Sequence, residues 1–226
     1  MSGRVYSLPC GVLPSVTSVL RVIDKPALAA WQRKVAVDAL KDDVRKSGAL
    51  SGTALDEAAA RAMTAPDRIA SKAASFGTRA HAVIDSIVKS GDDGEDVAVP
   101  PGVAPIVSGF RQWAQQCGLT LHRAGDTVVF SEKYQYAGAL DVIGHRTSDG
   151  AVVIVDFKTS NQIQDTFALQ LAAYARAYQE MNGPDPPVVG AVAVRFDKST
   201  GAVEERRVAD LDVAFAGFKA ALLLHR

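Results

Sequence analysis

Two neighbouring runs decide the fold: Tyr136-Ala137-Gly138-Ala139-Leu140-Asp141-Val142-Ile143-Gly144 and Ala151-Val152-Val153-Ile154-Val155-Asp156-Phe157-Lys158. Both are short and rich in Val, Ile and Tyr, the composition of strands. Asp149-Gly150 between them is a hairpin turn signal. Side chains alternate faces along a strand, so Asp156 and Lys158 share one face while Val155 and Phe157 take the other. A carboxylate and an ammonium thus end an otherwise apolar strand, where burial without a purpose is costly. Fourteen residues lie between Asp141 and Asp156, which suits a tight hairpin. Pairing across it can bring the two carboxylates together.

Working outward, Thr127–Glu132 predicts a strand before this pair. After it come a helix from about Gln164 to Glu180, strands Val188–Phe196 and Ala202–Val208, and a closing helix from Asp210 to Leu224. The N-terminal half reads as helical. Asp24-Lys25-Pro26 opens a helix that Ser47-Gly48 ends. Thr53-Ala54-Leu55-Asp56 opens a short Ala-rich one, and a longer one begins near Ala65-Pro66. In the latter Ile69, Ala73, Phe76, Ala80, Val83, Ile84 and Ile87 form one apolar stripe. Gly91 to Gly102 reads as a loop, and Val107 to Cys117 as a helix with Phe110 and Trp113 on its apolar face. The expected fold class is α/β (α+β), a central mixed sheet flanked by helices. We expect one domain over residues 1–226, mainly helical to residue 118 with the sheet core from residue 119.

Nearly half of the 226 residues are apolar, so the chain is globular. No apolar run approaches the roughly 18–20 residues of a membrane span. Met1 to Leu20 lacks a long apolar segment and reads as neither signal nor transit peptide, so a cytoplasmic location is the expectation. The 25 basic and 25 acidic side chains balance, which argues against coating duplex DNA by charge alone but leaves room for a local basic groove. Two cysteines, Cys10 and Cys117, are too few for an iron–sulfur cluster held by four thiolates.

Converging carboxylates repel, and a divalent cation removes that repulsion. Oxygen ligands of this kind suit Mg²⁺ or Mn²⁺, which can activate a bound water and polarise a phosphoryl oxygen. Lys158 would then orient the water or steady charge on phosphorus. Taken alone, Asp156 and Lys158 also suit a surface salt bridge; their surroundings argue for more. Gln170 and Tyr174 lie on one helix face, suited to binding phosphate or holding a catalytic lysine. His81 stands beside the apolar stripe, one turn after Gly77, either as a boundary residue or as a metal ligand. Glu132, at the end of its strand, is a candidate metal ligand or the partner of a base such as Lys133.

These residues resemble the PD-(D/E)XK nuclease superfamily in its RecB-like branch, with G-T-x-x-H, G-x-x-D, D-x-K and Q-x-x-x-Y elements in order. Here they read Gly77-Thr78-Arg79-Ala80-His81, Gly138-Ala139-Leu140-Asp141, Asp156-Phe157-Lys158 and Gln170 to Tyr174. Leu13-Pro14-Ser15-Val16-Thr17-Ser18-Val19-Leu20, followed by Leu28-Ala29-Ala30-Trp31, is similar to the opening of the mitochondrial genome maintenance exonucleases and related phage exonucleases. The resemblance covers about residues 11 to 180. It implies a restriction-endonuclease-like core and a metal-dependent DNA exonuclease acting on single strands or strand ends. It assigns metal to His81, Asp141, Asp156 and the Phe157 backbone carbonyl, and catalysis to Lys158. It implies a passage for single-stranded DNA formed by the N-terminal helices, with Arg21, Lys25, Arg33 and Lys34 as phosphate contacts. Thr17, Arg79, Thr159 and Ser160 are further candidates for DNA contact. Trp31 reads as a core aromatic before a stacking one. The cysteine cluster of the iron–sulfur relatives is absent. Competing expectations are a structure-specific endonuclease on the same core and an inactive nucleic-acid-binding module.

Overall fold

The structure is a computed structural model, and it describes residues 3–91, 96–123 and 127–226. The chain divides into two compact units, Met1–Ile23 with Gly77–Arg226, and Asp24–Phe76. The strands are β1 (Val5–Leu8), β2 (Gly11–Pro14), β3 (Leu119–Arg123), β4 (Val128–Ser131), β5 (Tyr136–Ala139), β6 (Val142–Arg146), β7 (Val152–Lys158), β8 (Val188–Phe196) and β9 (Val203–Arg207). The helices are α1 (Val16–Val19), α2 (Pro26–Ser47), α3 (Thr53–Ser90), α4 (Ala104–Gln116), α5 (Phe167–Asn182) and α6 (Leu211–His225).

The central sheet is mixed, as expected, with strand order β3-β6-β7-β8-β9. β7 and β8 are parallel and joined through α5, the helical crossover that parallel neighbours need. The other pairs are antiparallel. The turn between β6 and β7 is built on Gly150 at φ 74, whose N–H donates to the Arg146 carbonyl at 2.8 Å. Gly suits this positive φ, which costs other residues strain. Two hairpins, β1–β2 and β4–β5, lie outside this sheet and meet through a bridge between Ser15 and Ala137.

The sheet is covered on both faces. On one, Val152 and Ile154 share a core with Leu171 and Ala172 of α5 and Phe215 and Phe218 of α6. On the other, Phe157 packs edge-on against Phe110 of α4 with ring centroids 5.5 Å apart, and Trp113 and Phe196 complete the cluster. Burying each such ring contributes roughly 1.5–3 kcal/mol. The alternation along β7 therefore divides as expected: Asp156 and Lys158 take the α5 face, Phe157 the α4 face.

Several expectations need correction. Tyr136–Gly144 is not one strand: it is β5 followed by β6, in different sheets. β1, β2 and β3 were not anticipated. The Thr53 and Ala65 helices are one helix, α3, with Pro66 inside. The Thr64 hydroxyl and the Arg68 guanidinium donate to carbonyls of the turn before the proline, at 3.1–3.2 Å. The ladder bond that Pro66 itself removes is the one to the Ala62 carbonyl, four residues earlier. Of the expected Gly91–Gly102 loop, residues 92–95 lie outside the described ones. Among the described residues no helix is long and apolar enough to cross a membrane.

Candidate active site

The chain leaves β5 at Ala139 and enters β6 at Val142, so Leu140 and Asp141 form the step between two sheets. Leu140 is buried and anchors that step. β6 and β7 pair Val142 with Val155, and one further residue sets Asp141 opposite Asp156. Asp141 Oδ2 accepts the Phe157 N–H at 2.8 Å, in place of a strand partner. The N–H and C=O of a strand residue face the same edge, so the Phe157 carbonyl is also turned to the Asp141 side.

His81 comes from α3, with Nδ1 at 3.4 Å from Asp141 Oδ1. Gly77, one turn earlier, allows this approach: a Cβ there would stand 3.1 Å from Thr159 Oγ1, just after β7. Asp156 is 5% exposed. Its Oδ2 forms an ion pair with Lys158 but no hydrogen bond of good geometry. Its Oδ1 accepts from the Gln170 amide at 3.3 Å. The same amide nitrogen donates to the Tyr174 hydroxyl at 3.2 Å, and Gln170 Oε1 accepts from Lys158 Nζ at 3.3 Å. One amide thus touches the acid, the base and the phenol. Gly138 accommodates the phenol ring: a Cβ there would lie 2.3 Å from Tyr174 Cε1.

The electrostatics follow from burial beside charge. Burial pushes the Asp156 carboxyl up; Lys158 opposes this and Asp141 adds to it. For Lys158, burial works downward, but Asp156 and then Asp141 outweigh it and hold the ammonium charged. Asp141 is lowered: burial raises it, but the His81 hydrogen bond and charge prevail. His81 is raised correspondingly, burial being outweighed by Asp141. Burial and the Asp156 charge push the Tyr174 phenol well above its ordinary range.

The donor set fits a hard divalent cation. Asp141 and Asp156 stand opposite each other at the ends of β6 and β7, the His81 ring lies beside Asp141, and the buried Asp156 Oδ2 lacks a hydrogen bond. Among the described residues, no three His, Cys, Asp or Glu side chains form a ready-made cage. Mg²⁺ does not require one, since it keeps several waters and uses one or two carboxylates with substrate phosphate. The side chains of His81 and Lys158 are 34% and 26% exposed, so the cluster opens to solvent on their side.

The structure therefore brings together His81, Asp141, Asp156, Lys158, Gln170 and Tyr174, with Thr159 beside Gly77. Glu132 is not part of the cluster. It sits in the β4–β5 turn, at the opposite end of that hairpin from Asp141. The turn is tied to the end of α5 by Glu180, which bonds Ser131 and the Lys133 N–H. At 1.5 Å per residue, Glu180 is roughly 15 Å along α5 from Gln170. Ser160 donates to the Gln162 carbonyl at 2.7 Å. Thr17 is exposed on α1, its hydroxyl 3.0 Å from Ser15 Oγ. Arg79 is exposed on α3. Arg33 and Lys34 are exposed within the Asp24–Phe76 unit, Lys34 paired with Asp38 at 2.5 Å.

Sequence reasoning missed Tyr6, half-buried on β1 and near enough to Tyr174 to add to the upward push on its phenol. The alternation Val5-Tyr6-Ser7-Leu8 ahead of Pro9 and Gly11 was its signal. It also missed why the Leu13–Leu20 motif has two serines. Ser15 caps α1 and the Ser18 hydroxyl donates to the Arg4 carbonyl at 3.0 Å, fastening β1 beside β5.

A family model, the PD-(D/E)XK nuclease superfamily, matches residues 27–223. No curated protein matches the chain.

Proposed function

The chain belongs to the PD-(D/E)XK nuclease superfamily, and on that premise we propose that it is an exonuclease that trims DNA ends, single-stranded ones above all, with Mg²⁺ or Mn²⁺. The observation that carries this reading is the bond from the Phe157 N–H to Asp141 with Asp156, Lys158 and His81 around it. It joins acid, base and imidazole at one strand end. His81, Asp141, Asp156 and the Phe157 carbonyl would hold the metal. When bound, the metal supplies an activated water and polarises a phosphoryl oxygen. Asp141 binds the Phe157 N–H through Oδ2 and leaves Oδ1 toward the site. The Lys158 ammonium faces the charge that grows on the phosphoryl oxygens as the bond breaks. Gln170, backed by Tyr174, keeps that ammonium from turning away. Thr17, Arg33, Lys34, Arg79, Thr159 and Ser160 are proposed DNA contacts. We place all 226 residues in one nuclease domain and the reaction in DNA replication, repair or recombination in the cytoplasm.

The test is single-stranded DNA labelled at either end, incubated with Mg²⁺ and then with EDTA. Release of nucleotides that stops with chelator and with Asp156→Ala or Lys158→Ala is the expected result. Release that persists through both substitutions with chelator present would sink the assignment. Cleavage of a covalently closed single-stranded circle would move the activity to an endonuclease.

A further inference from the structure

We propose that Lys158 and the divalent cation compete for Asp156, and that Gln170 is a positioning residue that gives the displaced ammonium its second seat. This rests on the nuclease reading above. Asp156 Oδ2 is buried, and its ion pair is with Lys158 two residues along the same strand face. A cation entering between Asp141 and Asp156 meets an oxygen already neutralised. Coordination therefore requires the ammonium to leave. A buried ammonium without a partner is expensive, so its departure is cheap only where another acceptor is already in reach. Gln170 Oε1 is that acceptor, 3.3 Å from Nζ.

The orientation of the amide is held from outside. Its nitrogen has two hydrogens, and these go to Asp156 Oδ1 at 3.3 Å and the Tyr174 hydroxyl at 3.2 Å. The oxygen is thereby turned toward Lys158. Tyr174 is itself packed on Gly138, so the amide cannot easily rotate. Asp156 keeps its Oδ1 bond when Lys158 moves, and its Oδ2 becomes available. The ammonium stays within reach of Gln170 Oε1 and keeps its charge inside the cluster, so loading the site and reseating the lysine would be one event.

The arrangement makes a prediction that simple structural support does not. Calorimetric titration with Mn²⁺, without DNA, compares the unaltered chain with Lys158→Met, Gln170→Ala and the double variant. Lys158→Met removes the competitor and should tighten Mn²⁺ binding about tenfold, the scale on which groups behind a ligand tune affinity. Gln170→Ala removes the second seat and should weaken binding about tenfold. In the Lys158→Met background the same Gln170→Ala change should have little effect, because no ammonium needs seating. Equal weakening in both backgrounds would show that Gln170 merely supports Asp156 and would overturn the proposal. So would Lys158→Met leaving affinity unchanged or lowered. Absence of Mn²⁺ binding to the unaltered chain would instead strike at the nuclease reading itself. Lys158→Gln serves as a second substitution if the methionine variant does not fold, with melting curves as the check.

Discussion

Gly138→Ala is the most informative single change, because it tests how the site is braced without touching any proposed ligand. The new methyl would stand 2.3 Å from Tyr174 Cε1 and 3.1–3.2 Å from Cδ1 and Cζ. Carbon atoms rest at about 3.5–4.0 Å, so the ring must retreat by roughly 1 Å. Tyr174 is 5% exposed and has no open side to retreat to. Overpacking of this kind costs about 2 kcal/mol. For a chain of this size, that lowers the melting temperature by roughly 4–8 °C. The larger effect is positional. The Tyr174 hydroxyl is 3.2 Å from the Gln170 amide, and a 1 Å shift breaks that bond and loosens the hold on Asp156 and Lys158. A misplacement of about 1 Å at a reacting group costs on the order of a hundredfold in rate. Thermal melting and cleavage of end-labelled single-stranded DNA measure the two losses. Adding Tyr174→Leu to Gly138→Ala removes the ring and should recover the melting temperature but not the rate. A Gly138→Ala variant that melts and cleaves like the parent would refute the bracing argument.

Three further outcomes are expected. The His81–Asp141 pair should stabilise the fold over a bounded pH window: the His81 part is full below about 6.5 and is lost as pH rises through its raised folded value. The Asp141 part is present above about 3.8 and is lost as pH falls through its lowered one. NMR titration of His81 should show its pKa above that of a free imidazole, and lowered again by Asp141→Asn; an unshifted imidazole would contradict the pairing. Mn²⁺ affinity should rise with pH as His81 deprotonates, and His81→Asn should flatten that dependence in calorimetry. Gly109→Ala should destabilise more than Gly138→Ala, because its methyl would meet the Gly201 backbone carbonyl at 2.1 Å and not a ring that can yield; urea unfolding measures this, and a smaller loss than for Gly138→Ala would count against it.

The β6–β7 hairpin and its outcome, two aspartates face to face, were legible because a Gly in a turn and strict alternation are local signals. So was the pairing of Gln170 with Tyr174, which follows from helical periodicity. The break at Leu140-Asp141 was not legible: Tyr136 on one side and Val142-Ile143 on the other favour strand, and only the partners of each half reveal the change of sheet. β1 to β3 were missed because four or five residues carry little periodicity, and β3 contains two basic side chains. α3 runs on through the proline signal because Pro66 removes a single ladder bond of a 38-residue helix. Glu132 stands at the end of its strand as expected, but in the turn of the hairpin, and a hairpin carries its turn away from its open end.

Phe157 has a ring among Phe110, Trp113 and Phe196 and a backbone bonded to Asp141. One residue therefore faces two environments that never touch. Anything that repacks the aromatic layer under α4 also tilts the peptide on which the aspartate leans. The rate of such an enzyme can drift through changes in greasy residues far from solvent, with every polar group of the site left intact. A survey confined to charged side chains would pass over these positions.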